Sequence, residues 1–337
     1  MLISILVALA PAADPAWAPT RFDDGPQPTI DRVARLDAAL ASGRRRLALD
    51  GEPVTLIEVL NALDVPASSQ LAVFTRSSFQ ARRISPRRPR AIYFSDDVYV
   101  GYVPGSDVIE LTAVDPTEGL VFYTLDRAAA VPRFQRETHR CLQCHAPSRN
   151  REMPAHLVRS LHPESSGQPR LRAGSTHVDH ATPYAERWGG WYVTGDAGAL
   201  AHLGNQVLSE GRARLEPATG AHADLAEVID VTRYAATTSD VVALLVMEHQ
   251  THAQNAIARA GHEARSALDY QRALNEALGD PPGTPVASTG TRLDAAAREV
   301  VDALLFAGEP PLPAPIGKDS AFAEEFQSRG PRDARGR

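Results

Sequence analysis

With two cysteines, three methionines and no strong excess of either charge, this sequence excludes several kinds of protein. Two cysteines cannot staple a chain of 337 residues, so the fold must rest on its own core, which a 43% hydrophobic content can supply. A formal net charge of -6 argues against a nucleic-acid footprint and against a strongly acidic tail. Beyond the N-terminus no apolar run approaches the roughly 18 to 20 residues that span a bilayer, so a mature chain without a transmembrane segment is expected. Internal repeats are also lacking.

The first eighteen residues, MLISILVALAPAADPAWA, join an apolar stretch over 2–10 to small-residue patterns that end at Ala10, Ala12 and Ala18. This is the pattern of a signal peptide, and it implies export to the periplasm or an equivalent compartment. It departs from the usual form because no Lys or Arg precedes the apolar run; a strand or helix packed on the body is the structural alternative.

Residues 19–337 read as one α+β domain: an N-terminal antiparallel sheet, a loop-rich middle segment and a C-terminal helical layer. The mainly β part covers 30–130, the loop-rich part 131–235 and the helical part 236–328. Apolar spacing predicts short amphipathic helices over 30–40 and 54–63. Between residues 71 and 125 the runs LAVF, AIYF, VYVGYV, VIELTAV and LVFYTL alternate with Pro and Gly turns, which predicts an antiparallel meander. Six prolines between 132 and 183 favour loops there. No proline occurs from 218 to 280, which permits long helices; Ser239 is the expected N-cap and Gly261 the expected break. A last helix is expected over 293–306.

The two cysteines stand at 141 and 144, and residues 141–145 read CLQCH. In a Cys-x-x-Cys-His run, two thiols two residues apart can reach the two vinyl groups of one porphyrin, while the next imidazole binds the iron. A thioredoxin-like dithiol would use the same cysteines but is expected beside a βαβ unit, which does not precede Cys141. Zinc would need two further ligands from distant histidines. The motif resembles that of c-type cytochromes, although the resemblance covers five residues and does not extend to the small cytochrome c fold, whose motif lies near the start of the chain.

The resemblance implies one covalent haem c held by Cys141 and Cys144, with His145 as proximal iron ligand. It also implies an exported electron carrier with a redox partner protein and no nucleic acid. Maturation outside the cytoplasm agrees with the signal-like N-terminus. A second axial ligand is then required unless the sixth position is open. At about 100° per residue, Val241, Leu245, His249, His252 and Ala256 form one helical stripe, and His249 is the distal candidate. Core histidines satisfied by Asp240 or Glu248 are the structural alternative. Met153 follows the motif too closely to be favoured, and Met247 falls off the stripe. His177, His180 and His202 are the other candidates. An open iron would instead suit a peroxidase-like haem enzyme or a haem-based ligand sensor.

The arginines of ARRISPRRPR (Arg82, Arg83, Arg87, Arg88 and Arg90) can dock an acidic partner or pair with haem propionates, or simply form a solvated connector. Arg140, Arg149 and Arg151 bracket the motif. Trp188, Trp191 and Tyr192 suit the wall of a flat cofactor and suit ordinary core packing equally well.

Overall fold

The computed structural model describes residues 29–47, 55–146, 150 and 153–330. The signal-like residues 1–18, together with Arg149 and Arg151, lie outside the described residues. The fold is α+β, with the expected N-terminal antiparallel sheet and C-terminal helices.

Two helices come first, α1 (Arg32–Ala41) and α2 (Leu56–Ala62). Asp31 caps α1 by accepting the Ala34 N–H, and Thr55 with Glu58 forms a capping box on α2, so backbone donors at each N-terminus are satisfied by side chains. The sheet follows as a meander: β1 (Leu71–Val73), β2 (Arg90–Phe94), β3 (Val98–Tyr102), β4 (Val108–Asp115), β5 (Gly119–Asp126) and β6 (Phe134–Arg136). The first five match the predicted runs; β6 is an edge strand of three residues, too short to carry a visible alternation.

The two faces of this sheet have different tasks. On β4, Ile109, Leu111 and Ala113 are buried among Val33, Leu36, Val59 and Leu60 of α1 and α2, which closes one face with a hydrophobic core. Glu110 and Thr112 alternate to the other face, where register aligns Gly101 with Glu110 and Tyr99 with Thr112. That second face is covered by the loop-rich segment and by the start of a long helix.

A four-residue helix, α3 (Leu142–His145), carries the CLQCH motif. After it a small hairpin pairs β7 (Arg159–Leu161) with β8 (Ser175–His177). The WGGW turn then fastens this segment to the sheet: Gly190 O accepts the N–H of Phe74, and a Cβ on Gly189 would overlap the carbonyl of Leu161.

Helix α4 (Val241–Leu278) is 38 residues long. Asp240, not Ser239, is its N-cap, accepting from Val242 and Ala243 N–H. Ser239 is buried and donates to Tyr192 O. Gly261 does not break α4, because it is followed by strong helix formers and the cost of one glycine, about 1 kcal/mol, is spread over a long cooperative unit. Gly279 ends it in the left-handed conformation. Helix α5 (Ala287–Leu304) doubles back along α4, tied by Arg292 to Glu263 and by Arg259 to Glu299. It starts six residues before the expected position. Helix α6 (Ala321–Arg329) packs Phe322 against Phe94. Among the described residues no helix is long and apolar enough to cross a membrane.

Candidate cofactor-attachment site

The CLQCH turn is held by its own backbone, since the carbonyl of Cys141 accepts the N–H groups of both Cys144 and His145. Cys141 is half-buried and faces inward, whereas Cys144 is exposed. Burial, with Glu137 and Glu110 nearby, pushes the Cys141 thiol up to about 11. A redox dithiol needs the opposite shift, because the thiolate is the attacking species.

His145 is fixed from two sides. Its Nδ1–H donates to the carbonyl of Ala155 at 2.9 Å, and its own carbonyl accepts the Ala155 N–H at 2.7 Å. A bond from Nδ1 to a carbonyl selects the tautomer in which Nε2 holds the free lone pair, the usual arrangement of a metal-binding histidine. Burial holds its pKa below the ordinary value, which keeps that lone pair unprotonated. The ring packs on Phe122 of β5 with centroids 4.6 Å apart.

Cys141 and His145 line a small cavity of about 100 Å³ between the second face of the sheet and α4. Its walls are mixed: Ile92, Phe122, Val158, Trp191 and Met247 give apolar surface, and Thr112, Thr251 and Glu110 give polar surface. One edge is charged: Arg90 lies across Gly101, where any Cβ would collide with the guanidinium, and pairs with Glu110 at 2.5 Å. The Arg90 Nε is buried without a partner. Of the arginine run, Arg90 alone lines this cavity; Arg82, Arg83, Arg87 and Arg88 are exposed. Arg140 pairs with Glu137 instead.

His156 lines the same cavity. Asn255 of α4 clamps its backbone, accepting its N–H at 2.9 Å and donating to its carbonyl at 3.0 Å. Its ring lies against Tyr99, with centroids 4.2 Å apart. Burial, and secondarily the neighbouring His145, pushes His156 down to about 3, so the ring is neutral. Nothing in the sequence singled it out, since it stands in a loop without periodicity; its closeness to the motif, eleven residues after His145, was the available signal.

His249, the distal candidate from the sequence, does not line this cavity. It stacks on Phe306 with centroids 3.7 Å and planes 7° apart. Of the expected stripe of α4, Val241 and Ala256 are buried but Leu245, His249 and His252 are only partly so; Leu244, Met247, Glu248 and Thr251 are buried beside them, and Met247 and Thr251 line the cavity. His252 and His249 sit beside His180, at 4.2 and 6.1 Å between ring centroids, and His180 Nε2–H donates to Ala307 O. His202 is buried against Trp188 and accepts the Gly204 N–H, while His177 lies in a polar groove beyond His156. Met153 is buried outside the cavity wall.

Of the three aromatics, Trp191 lines the cavity, Tyr192 packs at a tilt against Phe74, and Trp188 donates to Glu248. Among the described residues no group of three or more His, Cys, Asp or Glu side chains is arranged to hold a metal ion, so the donor set for a zinc site is lacking there. No protein-family model matches the chain, and comparisons with curated proteins and with solved structures return no match.

Proposed function

We propose that this chain is an exported monohaem c-type cytochrome that carries single electrons to or from a redox partner protein, with haem c bound through Cys141, Cys144 and His145. The observation that carries the reading is the CLQCH turn at a partly apolar cavity, with the His145 ring tied through Nδ1 to Ala155 and its Nε2 left to bind metal.

The residues suit the group chemically. Each thiol adds across a vinyl C=C, so that an S–C bond forms, the thiol hydrogen passes to the neighbouring carbon and no atom is lost. Ile92, Phe122, Val158 and Trp191 exclude water from a flat apolar ring. Arg90, with a spare buried N–H, is suited to a carboxylate such as a propionate. When bound, haem supplies an iron that cycles between ferrous and ferric states. The protein then holds the proximal imidazole neutral and oriented, and limits solvent access, which sets the potential.

The test is production of the full chain beside a c-type maturation system. Denatured protein is expected to keep a mass increment of one whole haem and to give the pyridine haemochrome of a thioether-linked haem. The doubly substituted Cys141→Ala, Cys144→Ala chain is expected to lose both. Absence of covalent haem from the unsubstituted protein would overturn the proposal.

A further inference from the structure

Resting on the haem reading just given, we infer that His156 supplies the second axial ligand to the iron, making the centre six-coordinate with two imidazoles. His156 and His145 line one cavity, and the two residues are joined through Ala155, whose carbonyl accepts from the His145 ring and whose chain continues directly into His156. The Nε2 of His156 is buried and has no hydrogen-bond partner. A buried polar nitrogen left unpaired costs free energy, and a metal held in the cavity that it shares with His145 would give it a partner.

The placement of His156 is imposed from outside the cavity. Asn255 holds its backbone through two hydrogen bonds, and Tyr99 packs against its ring while its own hydroxyl is pinned by Gln250 and Gln254. Four side chains from β3 and α4 thus preorganise one imidazole, as a ligand of fixed geometry requires.

Met247 is the competing ligand in the same cavity. Its side chain is 3% exposed and belongs to the apolar core with Leu244 and Trp191, so its packing there is already complete without a metal. His156 carries the unmet hydrogen-bonding need, and Met247 does not.

The experiment uses the matured holoprotein. Ferric protein is expected to show a low-spin electron paramagnetic resonance signal, with the near-infrared magnetic circular dichroism band of bis-imidazole iron, and ferrous protein is expected not to bind carbon monoxide. His156→Ala should retain covalent haem, turn high-spin, bind carbon monoxide and return to low spin when free imidazole is added. His249→Ala should leave the spectra unchanged. A thioether signature in the unsubstituted protein, a high-spin unsubstituted protein, or a His156→Ala variant that stays low-spin would each overturn the assignment while leaving covalent haem intact. Should His156→Ala fail to fold, the near-infrared band of the unsubstituted protein decides alone. Loss of covalent haem from the unsubstituted chain is the separate outcome that removes the haem reading itself, and this assignment with it.

Discussion

Two histidine-bearing regions lie beside α4 and are built differently. Around the motif, His145 and His156 have their backbones and rings held by Ala155, Asn255, Phe122 and Tyr99, and both line one cavity beside the attachment turn. Around His249 the imidazoles pack on one another beside a buried ion pair, and Nδ1 of both His180 and His249 is buried without a partner. His180 donates to Ala307, His249 is covered by Phe306, and the adjacent Glu248 is locked to Arg187 and Trp188. The chemical role of an imidazole therefore follows from what is packed on its nitrogens and faces more than from the helical stripe it occupies.

The largest effect that would sharpen this contrast is expected at Glu248. Arg187 is 1% exposed and Glu248 is likewise buried, with 2.9 Å between them, and Arg187 has its remaining bonds to the carbonyls of Thr182 and His180. Glu248→Ala strands a buried guanidinium, and a loss of about 3–5 kcal/mol in unfolding free energy by urea titration is expected. A loss below about 1 kcal/mol would show that this region is not held by the pair.

A smaller effect is expected at Asn255, on the other side of the comparison. Asn255→Ala removes both clamps on the His156 backbone, at about 1–3 kcal/mol by the same titration. Hydrogen exchange at the His156 amide should accelerate more than at the core of β4. Unchanged exchange would mean that β3 and the cavity walls alone hold the loop.

The smallest effect concerns pH. Burial, and secondarily His180, pushes His252 down to about 4 from an ordinary value near 6.5, with Arg259 and His249 adding to the shift and Asp179 opposing it. The native state thus keeps His252 neutral where the unfolded chain takes a proton. Its contribution to stability is complete above pH 6.5 and is lost as pH falls toward 4. Since the ring is only partly buried, His252→Gln should flatten that acid-side decline by roughly 1 kcal/mol. A decline of unaltered slope would assign the acid sensitivity to other groups.

The parts of this structure that are legible in the sequence are those encoded locally. Alternation in VIELTAV gives β4 directly, because each face of that strand meets one environment, and the unbroken β-branched and aromatic run LVFYTL gives β5, which is buried on both faces. CLQCH is visible because its chemistry depends on spacing within one turn. What escapes is long-range. Whether His249 or Met247 faces the cavity depends on a rotation of α4 by about one residue, and that rotation is fixed by Phe306 and by the sheet, neither of which is near in sequence. His156 is invisible to periodicity for the same reason: Asn255 and Tyr99, which make it a candidate ligand, are 99 and 57 positions away. Gly261 misleads because a local penalty is outweighed by the pairing of α4 with α5 on both sides of it.

The reciprocal pair of bonds between His145 and Ala155 has a kinetic consequence for the proposed carrier. It makes the iron-side imidazole, the attachment turn and the start of the opposing segment one stiff unit, so a change of oxidation state has few soft coordinates along which to displace nuclei. A small reorganisation energy is the expected result, and it favours rapid exchange across a brief encounter without requiring a lasting complex.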